Sequence, residues 1–222
     1  MGDHAKPEPG PDRRQRRLGR RALILGGGAA VAGAGALAAR DTLERWWWRM
    51  PGMAEPRVEG EVDHEGAEWI PASHANYRRA SRPRDYSIDR VVIHMPEATY
   101  DITLQVFQDP GHGAATHYVV RSEDGHVAQL ARELDVAYHA GHRGFNERSI
   151  GIEHEGWADD PAYLTEAMYA SSARLVAGIC RRYGIPVDRE HIVGHNEVPE
   201  VIRVCPGPHW DWDRYMELVR QA

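Results

Sequence analysis

The feature that most constrains this sequence is the alternation of short apolar runs with a long amphipathic segment. Residues 90–94 form a β-branched run that ends before Pro96, and residues 149–153 form a second apolar run; both are typical of buried strands. The segment 165–183 has an apolar stripe at helical spacing, and Gly184 follows it as a common helix terminator. The sequence therefore predicts an α/β domain in which helices pack on a mixed sheet.

Shorter patterns complete this prediction. The turn signal Asp124-Gly125 divides residues 117–130 into two apolar runs and predicts a hairpin. Residues 101–108 and 213–219 are predicted as helices, and residues 191–194 as a short strand or loop. With 42% hydrophobic and 27% charged residues, the composition is that of a globular protein. Only two cysteines are present, which excludes a disulfide-dense scaffold and a four-cysteine zinc module.

The first 39 residues have the composition of a targeting segment. Six arginines within residues 13–21 precede an uncharged run rich in Gly and Ala at 22–39, in which residues 36–38 fit a small-x-small cleavage site. The Arg20-Arg21 pair is similar to a twin-arginine export signal. An uncleaved membrane anchor is the alternative, because the run has borderline spanning length and Trp46–Trp48 could lie at a membrane interface. Either reading predicts an extracytoplasmic protein, secreted or anchored on the outer side.

Charge is distributed unevenly along the chain. Residues 1–39 carry seven basic and three acidic residues, a net +4, so that with an overall charge of −6 the rest of the chain carries −10. An acidic main body disfavours binding to a phosphate backbone, and no nucleic-acid partner is expected.

Residues 40–83 contain several prolines and no strong periodicity, which indicates a linker and a wrapping N-terminal segment. The main domain is therefore expected at residues 84–222.

Two histidines and one cysteine are candidates for a metal site. His94 ends the first predicted strand, His195 follows the run Ile192-Val193-Gly194, and Cys205 lies ten residues later. Two imidazoles and a thiolate suit a borderline-soft ion such as Zn²⁺, and three protein ligands leave one tetrahedral position open, as in catalytic zinc sites. Thirteen histidines offer many other triples, so residue types alone do not select this set. A disulfide between Cys180 and Cys205 is the alternative in an exported protein; otherwise Cys180 is a buried apolar thiol.

The order of these residues along the chain, and the sequence around each of them, indicate which residues form the metal site. Six segments occur in the order VVIH, THYVV, AYHAG, RSIGIEHEG, IVGHNEVP and CPGPHWDW. Together they resemble the zinc-dependent N-acetylmuramoyl-L-alanine amidases, the superfamily of T7-like lysozyme, bacterial anhydromuramyl-peptide amidases and animal peptidoglycan recognition proteins. The resemblance covers roughly residues 84–220. It implies a mixed, mostly parallel central sheet flanked by helices, with His94, His195 and Cys205 as the zinc ligands.

The resemblance also implies further site residues. Strand alternation places Glu153, Gly151 and Glu155 on one face of the second strand, and the family assigns to Glu153 the transfer of a proton from the attacking water. Glu155 is the competing carboxylate. Arg203 occupies a position where bacterial relatives usually carry a lysine that stabilises the oxyanion, and arginine keeps the charge with a different geometry. His139 matches a family position that lines the substrate groove.

These residues together predict a hydrolase that cuts the amide bond between N-acetylmuramic acid and L-alanine in peptidoglycan or a muropeptide. Two alternatives stay open at this point. One is a non-catalytic module that binds peptidoglycan, although family members of that kind often lack the cysteine ligand. The other is a cysteine hydrolase in which Cys205 acts with His195, although Pro206 is a poor start for the helix that usually lowers the pKa of a nucleophilic thiol.

Overall fold

The computed structural model describes Val58 and residues 60–222. The predicted export signal or anchor at residues 1–39 lies outside the described residues and stays a prediction. So does the first part of the predicted linker, residues 40–57 and 59. None of the helices in the described part of the chain combines the length and the apolar character that crossing a membrane requires.

A six-stranded sheet forms the centre of the domain, in the order β1-β5-β4-β7-β3-β8. Strands β4, β7, β3 and β8 run parallel to one another, β5 is antiparallel to β4, and β1 is parallel to β5. A separate two-stranded ribbon pairs β2 with β6. The strands are β1 (Glu68–Trp69), β2 (Tyr77–Arg78), β3 (Arg90–His94), β4 (Tyr118–Val120), β5 (Val127–Gln129), β6 (Val136–Ala137), β7 (Ser149–His154) and β8 (Ile192–Gly194). The predicted mixed, mostly parallel sheet is confirmed.

Among residues 60–222 four α-helices flank the sheet, and the predicted ones are present to within two residues at their ends. They are α1 (Tyr100–Gln108), α2 (Arg143–Arg148), α3 (Glu166–Tyr183) and α4 (Trp212–Gln221). The long helix α3 begins where the Thr165 hydroxyl accepts a hydrogen bond from the backbone N–H of Met168, and it ends at Gly184 in the left-handed conformation with φ 68°.

The side chains on the two faces of the central strands have different surroundings. Val91 and Ile93 of β3 and Ile150 and Ile152 of β7 point to one face, where they pack with α3 and α4 in the largest hydrophobic cluster. The intervening positions of the same strands therefore point to the other face, because strand side chains alternate. These positions include His94 and Glu153, which pair directly across β3 and β7. We call this second side the site face.

The segment before residue 84 contributes more secondary structure than its sequence indicated. β1 adds the edge strand beside β5, and β2 pairs with β6. The sequence predicts no strand in this segment and no element at the positions of β6 and α2. A strand of two residues is too short to display a hydrophobic period, so these elements depend on pairing partners elsewhere in the chain.

The predicted hairpin is confirmed, and its turn lies against α3. Gly125 has a φ of 72°, and a Cβ atom at this position would collide with the backbone carbonyl of Ala167 in α3. Position 125 therefore requires glycine for two reasons: its backbone is left-handed, and the helix approaches it closely.

We expect Gly125→Ala to lower the free energy of unfolding by about 2–4 kcal/mol, because it adds left-handed strain to overpacking against a backbone group. Gly178→Ala is the control, since the added methyl in α3 meets only open space and an atom of His64 at ordinary contact distance. That control should stabilise the protein by about 0.5–1 kcal/mol. Urea unfolding of both variants measures the difference, and equal effects would contradict the assigned packing.

Candidate active site

Three candidate metal ligands from distant parts of the chain meet on the site face. His94 ends β3, His195 directly follows β8, and Cys205 comes from the loop before α4. The Nδ1 atoms of His94 and His195 are 2.9 Å apart, and the Cys205 Sγ lies 3.4 Å from Nδ1 of His195. One ligand atom from each residue lies within 4.8 Å of those of the other two, and all three residues are buried.

This geometry fits a tetrahedral zinc ion. Two nitrogens bound to zinc at about 2.0 Å lie about 3.3 Å apart, and a nitrogen and a bound thiolate about 3.5 Å apart. The His195 Nε2 lies 3.3 Å from the carbonyl oxygen of Ala140, which can only accept, so this nitrogen carries the hydrogen and Nδ1 is free to bind. Burial lowers the pKa of His195 to about 4, which keeps the ring neutral at physiological pH.

Both cysteines are free thiols, so the structure does not support the disulfide alternative. Cys180 is on the buried side of α3 and belongs to the largest hydrophobic cluster, as predicted for a buried apolar thiol. Burial raises the pKa of the Cys205 thiol to about 12 in the absence of a metal, and the nearby Glu153 carboxylate contributes in the same direction. A thiolate at this position therefore needs a cation beside it.

Glu153 lies beside the candidate metal ligands. It pairs with His94 across β7 and β3, it is 8% exposed, and it lines the same cavity as His195 and Cys205. Burial raises the pKa of its carboxyl to about 8, with a smaller contribution from the Glu97 carboxylate. Within the described part of the chain its Oε2 has no hydrogen-bond partner. The group can therefore hold or release a proton near neutral pH.

The carboxylate of Glu155, the competing candidate, instead accepts hydrogen bonds from the backbone. Its Oε1 accepts a hydrogen bond from the backbone N–H of Tyr100 at 2.9 Å, and its Oε2 accepts from the N–H of Ser122 at 2.8 Å. Glu155 thus caps the N-terminus of α1 and links this helix to the loop after β4 by hydrogen bonds. Both of its oxygens are occupied by backbone groups, which distinguishes it from Glu153.

The cavity over these residues has a volume of about 320 Å³ and is open to solvent. Arg203 is exposed at its edge, where its positive charge acts on His94, His195 and Cys205. The oxyanion role of Arg203 stays a prediction. Several other lining residues, which come from loops and from α1, are not predicted as site residues from the sequence. These include Glu97, Phe107, His112, Tyr138 and Val204.

His139 is buried beside the candidate ligands and also lines the cavity. Its Nδ1 lies 2.9 Å from Nε2 of His94, and its Nε2 lies 3.1 Å from the Ser149 hydroxyl. The predicted contact between His139 and substrate stays a prediction. Its contact with His94 was not foreseen, because 44 residues of sequence separate the two side chains and only the fold brings them together.

Two further histidines, His117 and His154, are buried on opposite sides of the sheet. His117 accepts a hydrogen bond from the backbone N–H of Gly151 and contacts the guanidinium of Arg82 at 2.8 Å. His154 lies 2.6 Å from the Ser172 hydroxyl of α3. Burial lowers the pKa of His117 well below its usual value and that of His154 to about 4. Both rings are therefore neutral in the folded protein.

We expect acid to destabilise the domain through these two rings. Below about pH 6.5 the unfolded chain binds protons at both imidazoles and the folded chain does not, so the free energy of unfolding falls as the pH decreases from 6.5 toward 4. Each ring contributes up to about 1.4 kcal/mol per pH unit. Urea unfolding at pH 7, 6 and 5 should show a shallower dependence for His154→Gln than for wild type. The half-exposed His126 provides the control variant His126→Gln; an equal change in both variants would contradict the assignment.

The chain is similar in sequence to several known proteins. The family model described as N-acetylmuramoyl-L-alanine amidase matches residues 84–208. An Achromobacter lyticus protein named N-acetylmuramoyl-L-alanine amidase A is 34% identical over 175 residues, which are 71% of this chain and 96% of that protein. Haemophilus influenzae 1,6-anhydro-N-acetylmuramyl-L-alanine amidase AmpD is 33% identical over 103 residues, which are 44% of this chain and 54% of that protein.

A solved structure gives the same result for the fold. The crystal structure of a selenomethionine derivative of AmpD has a TM-score of 0.59 and 27% sequence identity, and the match covers 74% of this chain and 99% of that one. The segment matched by the family model includes His94, Glu153, His195 and Cys205. On these grounds the chain belongs to the N-acetylmuramoyl-L-alanine amidase family.

Proposed function

We propose that this protein is a zinc-dependent hydrolase that cuts the amide bond between the lactyl group of N-acetylmuramic acid and the L-alanine of the peptide stem. The observation that carries the proposal is the convergence of His94, His195 and Cys205 beside the buried carboxyl of Glu153. Family membership supports the same bond, since the Achromobacter relative is named for the N-acetylmuramoyl-L-alanine linkage.

His94 and His195 would hold the ion through Nδ1 and Cys205 through its thiolate. When bound, zinc supplies Lewis acidity to the substrate carbonyl and to a water molecule. Glu153 accepts the proton that the attacking water loses and delivers it to the leaving amine of L-alanine, a transfer suited to a carboxyl whose pKa burial raises to about 8. Arg203 at the cavity edge places a positive charge near the oxyanion that develops during attack. We retain His139 in this proposal as a residue that reaches the substrate groove.

Two alternative functions are less well supported. A cysteine hydrolase needs a thiolate nucleophile, but burial raises the pKa of the Cys205 thiol to about 12, and the nearest imidazole nitrogen belongs to a candidate ligand. A non-catalytic module for peptidoglycan recognition has no need of a buried carboxyl beside three converging ligands. Both alternatives leave Glu153 without a role.

A wall polymer as substrate suits an exported enzyme, and we propose that the twin-arginine-like segment directs this protein across the membrane. The uncharged run at residues 22–39 would then be cleaved or serve as an anchor on the outer side. Fractionation of cells that express the full chain, compared with an Arg20→Lys/Arg21→Lys variant, tests the route. Retention of both forms in the cytoplasm would contradict it.

Metal removal should abolish activity. We expect the purified protein to contain close to one zinc per chain, a chelator to stop the release of L-alanine-terminated peptides from purified peptidoglycan, and added zinc to restore it. The variant His195→Ala should lose both zinc and activity, because it removes one of three ligands. Full zinc content together with full activity in His195→Ala would refute the assigned site.

Replacement of Glu153 should separate catalysis from metal binding. We expect Glu153→Gln to retain zinc and to lower kcat by about 10²–10⁴-fold, because the amide cannot accept a proton. Glu123→Gln is the control, since Glu123 is exposed in the turn of the β4–β5 hairpin. Zinc content and the rate of amide cleavage measure both effects. If Glu155→Gln lost kcat instead while Glu153→Gln kept it, the roles of the two carboxylates would be exchanged.

A further inference from the structure

We propose that Asn76 is a positioning residue of the candidate active site, because it holds two lining segments of the cavity in place and thereby sets the affinity for substrate. Asn76 lies before residue 84, in the stretch where the sequence predicts only a linker and a wrapping segment. What occupies the cavity rests on the proposed function, whereas the contacts of Asn76 stand without it.

The side chain of Asn76 is fully buried and forms three hydrogen bonds to one stretch of backbone. Its Nδ2 donates to the carbonyl oxygens of Phe107 at 2.8 Å and Asp109 at 2.9 Å. Its Oδ1 accepts from the backbone N–H of Gly113 at 2.9 Å. A carbonyl only accepts and an N–H only donates, so a single orientation of the amide satisfies all three partners. Both the donors and the acceptor of the asparagine are therefore used at this position.

These hydrogen bonds complete the C-terminus of α1. The last carbonyls of a helix have no partner within the helix, and the described last turn of α1 contains no basic residue that could serve as one. The carbonyl of Phe107 accepts from Asn76 and also from the backbone N–H of Ser73 at 3.0 Å. The chain turns after the helix, and the bond to Gly113 closes that turn. A segment distant in sequence thus caps α1 and fixes the loop that follows it.

The stretch that Asn76 holds is part of the cavity lining. Phe107 and His112 line the same cavity as Glu153. The rings of Phe107 and His112 lie 5.8 Å apart between their centroids. Asn76 binds the backbone at Phe107 itself and on both sides of His112. It therefore limits the movement of both rings relative to the rest of the cavity.

The main chain of Asn76 reaches a second lining residue. Strand β2 begins at the next residue and pairs with β6, with Tyr77 opposite Ala137. The backbone N–H of Tyr138 donates to the carbonyl oxygen of Asn76 across 3.4 Å, which extends this pairing by one residue. Tyr138 also lines the cavity. One residue therefore links two lining segments from distant parts of the chain, and their relative position depends on it.

This arrangement predicts an effect on substrate binding and little effect on the chemical step. Among the described residues, the hydrogen bonds of Asn76 go to α1, to the loop after it and to residues 73 and 138. The carboxyl of Glu153 and the candidate ligand His94 are held by the pairing of β7 with β3 instead. Loosening the cavity lining weakens contacts that bound substrate and transition state share, which raises KM and leaves kcat unchanged.

Amide exchange in the full-length protein tests the contact independently of activity. In ¹⁵N NMR spectra we expect the Gly113 N–H of wild type to be protected from exchange with solvent. In Asn76→Ala this amide should exchange about 10-fold faster, because it loses its acceptor. The amides of β7 should keep their wild-type rates. A Gly113 amide without protection in wild type would overturn the proposal, whether or not the variant folds and whether or not the protein is an amidase.

Cleavage kinetics provide the second readout. With a soluble muropeptide as substrate, we expect KM to rise by about 10-fold in Asn76→Ala and in Asn76→Asp, with kcat within about 2-fold of wild type. The aspartate variant keeps the side-chain size and an acceptor for Gly113, but it cannot donate to the two carbonyls. Zinc content should match that of wild type in both variants.

Gly125→Ala is the matched control, because it destabilises the protein at α3 and not at the cavity. We expect its KM to equal that of wild type. An equal rise of KM in Gly125→Ala, or a loss of kcat with unchanged KM in the two Asn76 variants, would contradict the positioning role. A wild-type protein that cleaves no muropeptide would refute the proposed function instead, and amide exchange would then decide the role of Asn76 in holding the cavity.

Discussion

The parallel pairing of β3 with β7 on one side and β8 on the other is the interaction on which the site depends. It places His94 directly opposite Glu153, and it brings the end of β8, where His195 follows, to the same edge of the sheet. In open α/β sheets the carboxyl ends of parallel strands form the crevice where ligands bind. A shift of one residue in either register would turn His94 or Glu153 into the hydrophobic cluster on the opposite face.

Burial gives the site its chemistry. The sheet excludes water from one face with α3 and α4, and on the site face it encloses imidazoles, a thiol and a carboxyl. Desolvation keeps the imidazoles neutral and raises the pKa values of Glu153 and Cys205. Such groups are costly to bury unless they are hydrogen-bonded. The backbone carbonyl of Ala140 meets part of that requirement for His195, and it orients the ring at the same time.

Strong local patterns were predicted correctly from the sequence, and weak ones were not. The strand at 90–94, the hairpin around Gly125 and the helix that ends before Gly184 each have enough residues for a period or a cap to be recognised. Strand alternation also placed Glu153 and Gly151 on one face of β7, and this is the site face. The strands at 68–69, 77–78 and 136–137 were missed because two residues carry no period, and their conformation depends on partners far away in the chain.

By itself, the sequence determined the fold class, the residue types able to hold a soft divalent ion, and the motif order that marks the amidase family. The chain has thirteen histidines, and among the described ones the tertiary structure decided which lie close enough to share an ion. It separated Glu153 from Glu155 by giving the latter two backbone donors, and it brought His139 and Ser149 behind His94. The physical reason is that periodicity and capping are local properties of a chain. Hydrogen-bond direction and desolvation depend instead on groups that meet only after folding.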